Sequence, residues 1–465
     1  MPTSRAAHLV VDLGFGDAGK GTLTDWLVRR HGAGLVVRFN GGAQAGHNVI
    51  TEDGRHHTFA QFGAGSFVPG VRTHLARPTV LHPLAMLVEA RYLARQGVPD
   101  ALERTTLSEG ARIITPFHQA ANRLRELARG TGRHGTCGVG VGETVRDALA
   151  HPDGALLAGD LVRPGPLVRK ARAAQERLRA ELADVLRATR DHPQATPERE
   201  LLEDPDIPSR WAEAVEALRP RERVVGDDWL GPKLRQGHTV FEGAQGVLLD
   251  EWRGFHPHTT WSTCTFELAL ELLREQGFDG AIHRLGVLRA YATRHGEGPF
   301  PTEEPALAPA VPEPHNGAGG WQGGFRVGGF DAVLARYALA CCGGVDALAL
   351  THLDRLAPRW PVCNAYRAPP GAEALLQDPA DPSRVTALRP GPHRDLAWQE
   401  RLTRALATCE PLREELDLGE APDGRAERFV AWVEAALGVR VAVTSHGPVA
   451  RDKRERGLTP AGPPG

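Results

Sequence analysis

The sequence predicts an α/β protein built on a large, mostly parallel sheet with crossover helices. At its start, a short apolar run, a glycine-rich stretch, a helical pattern and a second apolar run follow one another between His8 and Arg38. Further short apolar runs alternate with helical segments, and such alternation favours parallel strands joined by helices. The chain has 465 residues, 41% of them apolar, which is enough to bury a large core.

The first βαβ unit can be followed segment by segment. Residues 8–13 are apolar and β-branched and predict a strand, and residues 14–21 form a glycine-rich loop. Residues 22–30 predict a helix, because apolar side chains recur there at helical spacing, at Leu23, Trp26 and Leu27. Residues 35–38 predict the second strand.

The later elements continue the alternation. We predict helices at residues 83–95, 167–190, 209–218 and 331–340, and strands at residues 239–242, 286–288 and 347–350. The charged helical segments between about 165 and 225 are expected to form an excursion from the sheet, and the Pro- and Gly-rich residues 305–324 a mobile loop. Together these elements predict one α/β domain over residues 1–456, followed by a disordered tail at residues 457–465.

Bulk properties exclude several classes of function. The formal net charge is −2, which gives no electrostatic reason to expect a nucleic-acid or membrane partner. No apolar run approaches the roughly 20 residues of a membrane span, and the first residues lack the apolar core of a signal peptide. The six cysteines have no CxxC spacing that would indicate a zinc or redox site. We therefore expect a cytoplasmic protein.

Residues 14–22, GFGDAGKGT, have the setting of a phosphate-binding loop. Glycines let backbone N–H groups close around phosphate oxygens, and the N-terminus of the following helix adds its dipole. Lys20 supplies a positive charge for the β- and γ-phosphates, but Gly21 stands where the Ser or Thr of an ordinary P-loop binds magnesium. Asp17 is unusual, because a carboxylate beside a phosphate needs another task, such as holding Mg²⁺ or taking a proton.

A second glycine-rich cluster follows at residues 40–48, NGGAQAGHN. Its small residues permit close approach of the backbone to a ligand, and Gln44 and His47 are polar groups that it offers. A histidine can stabilise the negative charge that develops on a transferring phosphoryl group. A buried histidine with a structural partner would fit the same pattern, so this cluster alone leaves the role of His47 open.

Six segments, in the same order along nearly the whole chain, resemble those of the adenylosuccinate synthetase family, which joins IMP and L-aspartate with hydrolysis of GTP. The family patterns are GDEGKG, GGxNAGH, FEGAQGxLLD, AYxTRVGxGPFPTE, TKLD and STGP. The corresponding segments here are residues 16–21 (GDAGKG), 41–47 (GGAQAGH), 241–250 (FEGAQGVLLD), 290–303 (AYATRHGEGPFPTE), 351–354 (THLD) and 445–448 (SHGP). The sequence is therefore identified as a member of this family.

The resemblance implies a ligase reaction in two steps. Asp17 would take the N1 proton of a six-oxo purine, so that O6 attacks the γ-phosphate of GTP, while Mg²⁺ and His47 stabilise the developing charge. The amine of aspartate would then displace phosphate from C6. Asp17 and the carbonyl oxygen of Gly46 would hold the metal ion.

The resemblance also implies the residues of each subsite. Asp354 would accept hydrogen bonds from the guanine edge, and Ser445 and Gly447 would complete that pocket. The expected GTP site comprises Gly16, Asp17, Ala18, Gly19, Lys20, Gly21, Thr22, Gly46, His47, Asn48, His352, Leu353, Asp354, Ser445, His446 and Gly447. The expected substrate-binding residues are Gln44, Cys137, Gln245, Thr260 and Arg326.

The acceptor side departs most from the family pattern. The turn that binds the IMP phosphate, TTGRG in the family, appears as TCGVG at residues 136–140, with Cys137 in place of a hydroxyl residue and no arginine. Of the arginine cluster that binds aspartate, only Arg326 remains within residues 319–329. Arginine binds carboxylates with two parallel hydrogen bonds, and glycine cannot replace it.

Three functions stay open at this point. The first is an adenylosuccinate synthetase, and the second is a diverged ligase that applies the same GTP-driven O-phosphorylation to another oxo substrate or amine donor. The third is a non-catalytic GTP-binding regulator, which would have no use for the Asp17 carboxylate beside the γ-phosphate. The resemblance implies a homodimer, although the arginine that crosses between family subunits has no clear match near His151.

Overall fold

The computed structural model describes residues 5–132, 135–313, 321, 323–367, 375–378 and 380–457. The strands of these ranges are β1 (Ala6–Asp12), β2 (Leu35–Arg38), β3 (His47–Ile50), β4 (His56–Phe59), β5 (Arg72–Leu75), β6 (Val80–Leu81), β7 (Thr105–Ser108), β8 (Arg112–Ile113), β9 (Val224–Val225), β10 (His238–Glu242), β11 (Ala281–Arg289), β12 (Ala292–His295), β13 (Phe325–Gly328), β14 (Phe330–Asp331), β15 (Ala347–Thr351), β16 (Arg359–Arg367), β17 (Leu375–Asp378), β18 (Asp381–Leu388), β19 (Glu410–Asp417), β20 (Val441–Ser445) and β21 (Lys453–Glu455). The α-helices are α1 (Lys20–His31), α2 (Pro83–Arg95), α3 (Pro116–Arg129), α4 (Val141–Ala150), α5 (Pro164–Glu181), α6 (Ala183–Ala188), α7 (Thr196–Glu203), α8 (Ile207–Ala214), α9 (Leu230–Leu234), α10 (Glu267–Glu275), α11 (Ala332–Cys341), α12 (Leu396–Ala407) and α13 (Pro422–Leu437).

Ten strands form one sheet in the order β21-β20-β15-β11-β1-β10-β2-β5-β7-β9. All neighbouring pairs run parallel except β20 and β21 at one edge. β1 is buried along its whole length, with Leu9 and Val11 in one core cluster and Val10 in another beside Leu23 and Leu27 of α1. Burial on both faces is typical of parallel sheets. The predicted α/β class with a mostly parallel sheet is confirmed.

The predicted elements of the first βαβ unit are present, and the structure explains their ends. β1 ends at Asp12, and α1 begins at Lys20 after Gly19, which has a φ of 90° that favours glycine. The helix predicted at residues 83–95 is α2. The one predicted at residues 167–190 is divided into α5 and α6.

The second half of the chain contains elements that the sequence does not predict. The predicted loop at residues 305–324 opens with a 3-10 helix, Pro305–Ala310, while its residues 314–320 and 322 lie outside the described part of the chain. The predicted tail also lies outside it, apart from Gly457. A second sheet, β14-β16-β18-β17 with β19 beside β16, is absent from the prediction. Its strand β19 is charged and mostly exposed, so it lacks the apolar pattern of a strand.

The central strands place the sequence motifs at one edge of the sheet. β20, β15, β11, β1, β10 and β2 are neighbours and run parallel, so their carboxyl ends face the same way. Each of the six motif segments overlaps or directly follows the end of one of these strands. In open α/β sheets, ligands bind at this edge. In the described ranges, no helix is long and apolar enough to cross a membrane.

Candidate functional site

Asp12, at the end of β1, organises the phosphate loop. Its carboxylate accepts hydrogen bonds from the backbone N–H groups of Gly14 (2.8 Å), Gly16 (3.3 Å) and Ala18 (2.8 Å). Lys20 Nζ donates to the same carboxylate at 3.1 Å, and both side chains of this ion pair are buried. The loop is therefore formed around an internal anion, and its lysine is held inside it.

Gly21 lies against the strand that carries His47. A Cβ atom at position 21 would lie 2.8 Å from the Cβ and carbonyl carbon of His47 and 3.0 Å from the carbonyl oxygen of Asn48. Such distances are too short for any side chain, so glycine is required by the packing. This contact gives a physical reason for the absence of the usual P-loop Ser or Thr. Asn48 itself accepts a hydrogen bond from Thr58 Oγ1 of β4 at 2.6 Å.

His47 is buried and paired with Glu242. His47 Nδ1 lies 2.6 Å from Glu242 Oε1, and Glu242 Oε2 accepts the N–H of Ala64 at 3.0 Å. Burial raises the pKa of Glu242, but the charges of His47 and Arg38 outweigh it, and the pKa ends below its ordinary value. An ionised Glu242 accepts a hydrogen bond from Nδ1–H and fixes the orientation of the ring. The other ring nitrogen, Nε2, is not engaged by this pair.

Asp17 extends from the loop to the hairpin of β12 and β13. Its Oδ2 lies 3.2 Å from Nε2 of His295, and its carbonyl oxygen accepts a hydrogen bond from Arg289 at 3.0 Å. Burial raises the pKa of Asp17. The hydrogen bond with His295 and the charges of Arg289 and Lys20 lower it by more, so the pKa ends below its ordinary value. Asp17 is thus ionised at neutral pH. His295 stands where the family segment has valine, so this contact is a departure from the family pattern.

Residues 351–354, which are predicted to bind guanine, border the phosphate loop on the side of β15. Thr351 Oγ1, at the end of that strand, donates to the carbonyl oxygen of Ala18 at 2.8 Å. His352 has a φ of 59°, and burial lowers its pKa well below the ordinary value. Leu353 is buried, whereas the side chain of Asp354 is 33% exposed and lies 3.1 Å from Arg355. Asp354 therefore presents a carboxylate that solvent or a ligand can reach.

The C-terminal segment is tied to the first turn of α1. Thr22 Oγ1 donates to the carbonyl oxygen of Pro448 at 2.6 Å, and Lys453 Nζ donates to Thr22 Oγ1 at 2.5 Å and to the carbonyl oxygen of Gly447 at 3.0 Å. Ser445 Oγ donates to the same carbonyl at 3.1 Å. His446 Nε2 lies 3.1 Å from the Thr444 hydroxyl. The turn at residues 445–448 is thereby fixed beside the loop.

Two glutamine side chains converge on one backbone turn. A Cβ atom at Gly41 would lie 2.7 Å from Gln245 Oε1, and one at Gly42 would lie 2.9 Å from Gln44 Oε1. Both amide oxygens are buried and have no hydrogen-bond partner among the described residues. Both oxygens are therefore available to accept N–H or O–H groups. Gln245 also borders the phosphate loop, since its Cα lies 3.4 Å from a Cβ placed at Gly16.

The other predicted acceptor residues are less open to a ligand. Thr260 is half-buried, and its N–H donates to the carbonyl oxygen of Leu249 at 2.8 Å. Burial raises the pKa of the half-buried Cys137 thiol, which is therefore neutral. Arg326 donates to Glu303 Oε2 at 2.9 Å and to the carbonyl oxygen of Gly298 at 3.0 Å. The one arginine retained from the predicted aspartate loop is thus bound to an acid of its own chain.

The side chains that position the predicted site residues are not singled out by the sequence motifs. Glu242 lies inside a recognised motif, and His295 lies at a departure from one, so both positions carried a signal. Asp12 and Lys453 carried none, because their partners are known only from the folded chain. The overlooked residues are Asp12, Glu242, Arg289, His295 and Lys453.

The family model described as adenylosuccinate synthetase matches residues 9–454. The chain belongs to the adenylosuccinate synthetase family. This confirms the predicted resemblance, and with it the chain is a GTP-dependent carbon–nitrogen ligase, as predicted.

Relatives and solved structures agree with this assignment. The adenylosuccinate synthetase of Methylibium petroleiphilum is 34% identical over 364 residues, which cover 76% of this chain and 78% of the relative. That of Alkalilimnicola ehrlichii is 32% identical over 469 residues and covers 96% of both chains. The fully ligated adenylosuccinate synthetase of Plasmodium falciparum shares the fold, with a TM-score of 0.75 at 19% identity, over 98% of this chain and 100% of that one.

Proposed function

We propose that this protein is an adenylosuccinate synthetase in its reaction as well as in its family. It would convert IMP, L-aspartate and GTP to adenylosuccinate, GDP and phosphate through a 6-phosphoryl intermediate. The observation that carries the proposal is an ionised Asp17 at the front of a preformed phosphate loop, with its Oδ2 3.2 Å from His295. A carboxylate at this position repels phosphate unless it takes part in the chemistry.

The first step needs a base and stabilisation of the transferred phosphoryl group. Asp17 takes the N1 proton of IMP, which makes O6 nucleophilic, and O6 then bonds to the γ-phosphorus while the bond to the β-phosphate oxygen breaks. Lys20 stabilises the charge on the transferring group, and His47 does so in its doubly protonated form, in which Nδ1–H donates to Glu242 and Nε2–H remains to donate to the phosphoryl group. Glu242 holds His47 in place, and His295 and Arg289 hold Asp17, so these three residues position the reacting groups.

Magnesium suits the donors that this site offers. Asp17 has a partly exposed carboxylate, and Gly46 is exposed, with only Thr58 Cγ2 near a Cβ placed there, at 3.6 Å. Carboxylate and carbonyl oxygens are the hard ligands that Mg²⁺ prefers, so Asp17 and Gly46 would hold the ion. A bound Mg²⁺ would neutralise phosphate charge during transfer.

The acceptor would lie between the two unpartnered amides. The amide oxygens of Gln44 and Gln245 are buried acceptors, and hydroxyl and N–H groups of a purine nucleotide are donors that match them. Thr260 and Cys137 belong to the same proposed acceptor side. On the nucleotide side, the exposed carboxylate of Asp354 is suited to accept two N–H groups of guanine, which adenine does not offer in that arrangement.

The decisive test measures GDP release from GTP and Mg²⁺ with IMP, with L-aspartate, with both and with neither. We expect release only with both substrates, together with adenylosuccinate identified by mass spectrometry. The Asp17→Asn protein is the matched control, because it should bind GTP without turnover. GTP binding without any stimulation by IMP and aspartate would refute the proposal.

One contact favours a second candidate, a ligase with another amine donor or oxo substrate. Arg326 is engaged by Glu303 and is therefore not presented as a free fork for the carboxylates of aspartate. Each lost charged hydrogen bond is worth roughly 1.5–3 kcal/mol, so aspartate would bind weakly unless other groups replace them. Product formed from IMP with another amine, at a higher kcat/KM than with aspartate, would establish this candidate.

We further propose a homodimer in the cytoplasm. Large apolar side chains are exposed at Val88 and Tyr92 of α2 and at Leu149 of α4, which suits a subunit contact. Free cysteines, the state of all six in this structure, suit a reducing compartment. Equilibrium sedimentation that gives only the monomer mass of 50.2 kDa would contradict the dimer.

A further inference from the structure

Four histidines cluster at the edge of the sheet opposite the phosphate loop. His8 is the third residue of β1, His238 begins β10, and His283 is the third residue of β11, so all three lie near the amino ends of parallel strands. The register pairs His8 with His283 directly and pairs Ala6 with His238. The fourth, His31, is the last residue of α1.

The rings are close enough to share one ion. His8 Nε2 lies 3.1 Å from His238 Nδ1, and the ring centroids of His8 and His31 are 4.4 Å apart. One nitrogen each of His8, His31 and His238 can be chosen so that all three lie within 4.8 Å of one another. In a tetrahedral site with metal–nitrogen bonds of about 2.0–2.1 Å, ligand nitrogens are about 3.4 Å apart. The rings lie within 18° of parallel, so side-chain rotations that turn their nitrogens toward one point would accompany binding of an ion.

The cluster is neutral and has an unused ligand atom. Burial, together with repulsion among the rings, lowers the pKa of His8 to about 2 and that of His31 to about 4. Neutral imidazole is the form that binds metal ions. His31 Nε2 is buried without a hydrogen-bond partner among the described residues.

We propose that His8, His31 and His238 bind a divalent transition-metal ion, with His283 as the fourth ligand. Four nitrogen ligands without a carboxylate suit Zn²⁺ and exclude Mg²⁺, which prefers oxygen. A closed set of four ligands is the arrangement of structural zinc sites. The ion would join the end of α1 to three central strands. It would thereby brace the helix whose first residue, Lys20, belongs to the phosphate loop.

Calorimetric titration of the untagged full-length protein with Zn²⁺, in excess Mg²⁺, tests the site. We expect one ion per chain, and cobalt in place of zinc should give the intense visible absorption of a tetrahedral centre. His31→Gln and His238→Gln should each weaken Zn²⁺ binding at least tenfold. His393→Gln, at an exposed histidine, is the control and should leave the affinity unchanged.

The design separates this site from the nucleotide site. Circular dichroism of each variant establishes that it folds. GDP release that depends on IMP and L-aspartate, measured with chelator and excess Mg²⁺, should stay within twofold of the parent for His31→Gln. Absence of Zn²⁺ binding, or equal Zn²⁺ affinity in the parent and both cluster variants, would overturn the proposal. The proposed reaction can fail without affecting the zinc titration, so the two hypotheses are tested independently.

Discussion

Asp17 is the carboxylate on which the proposed proton transfer depends. In Asp17→Asn, the amide keeps the size of the side chain but cannot take a proton, so we expect phosphoryl transfer to fall by roughly 10²–10⁴-fold. GTP affinity should change little, because Lys20 and the loop backbone are untouched. Phosphate release and GTP titration on the same preparation measure both effects. Full activity in this variant would remove the base assignment.

His295 offers a finer test, since it contacts Asp17 at 3.2 Å where the family pattern has valine. His295→Val frees the carboxylate to rotate, and we expect kcat to fall about tenfold, the size of one lost hydrogen bond of about 1.4 kcal/mol. The KM for GTP should stay within about twofold of the parent. His295→Asn can still donate a hydrogen bond to Asp17, so its kcat should lie between those of His295→Val and the parent. If valine leaves kcat unchanged, the contact does not position the base.

Asp354 is expected to set the preference for GTP. In Asp354→Asn, one carboxylate oxygen becomes an NH₂ group that opposes the N–H groups of guanine. Loss of charged hydrogen bonds worth roughly 1.5–3 kcal/mol should lower kcat/KM for GTP by about 10–100-fold, with a smaller effect on other nucleotides. The ratio of kcat/KM for GTP and ATP measures the change. An unaltered ratio would refute the guanine assignment.

At the scale of elements, the contact between the phosphate loop and β3 limits what position 21 can hold. Gly21→Ala places a methyl group 2.8 Å from His47, so either the loop or the strand must move. We expect a loss of about 1–3 kcal/mol in the free energy of unfolding, the usual size of overpacking, and a large loss of kcat. Gly34→Ala is the control, because nothing lies within 4 Å of a Cβ there. Equal urea midpoints for the two variants would contradict the contact.

The elements also mark the limit of prediction from sequence. Short apolar strands followed by glycine-rich loops predict the α/β class and the two loops at residues 14–22 and 40–48, because each pattern is local. The neighbours of β1 could not be predicted, since β10 and β11 come from far along the chain. The pair His47 and Glu242, 195 residues apart, and the pair Asp17 and Arg289, 272 apart, depend on that strand order. Arg326 shows a limit of motif matching. Its presence in the aspartate segment predicts a contact with a ligand, but in the structure its guanidinium donates to Glu303.

At the scale of the whole molecule, buried histidines couple stability to pH. Among the described residues, nine histidines have a pKa below the ordinary value of 6.5, chiefly because of burial: His8, His31, His47, His74, His82, His238, His283, His352 and His446. The unfolded chain therefore takes up protons first as pH falls below 6.5. Their contribution to stability is present above pH 6.5 and is lost as pH falls from 6.5 through each folded-state pKa, which is about 4 for His31, His47 and His74 and about 2 for His8.

Among the described residues, three buried carboxyls, Asp25, Asp250 and Asp331, have a raised pKa and act in the opposite direction, but they are outnumbered. Burial raises the pKa of Asp250 and of Asp331 to about 6, so their contribution is present below pH 3.8 and is lost as pH rises through 6. With nine histidines against these three carboxyls, the sum still favours unfolding in acid. The free energy of unfolding should therefore fall by several kcal/mol between pH 7 and pH 5.

His74 provides a test of this coupling away from the active site. It is buried, stacks on Trp229 with ring centroids 4.9 Å apart, and has a pKa lowered to about 4 by burial. His74→Gln removes one titrating group and should reduce the slope of unfolding free energy against pH by about 1.4 kcal/mol per unit between pH 6 and pH 5. Urea denaturation with chelator present, with His393→Gln as the control, measures the slope. An unchanged slope in His74→Gln would mean that His74 takes up its proton equally in the folded and unfolded chains. Burial of His74 would then make no contribution to the acid sensitivity of the protein.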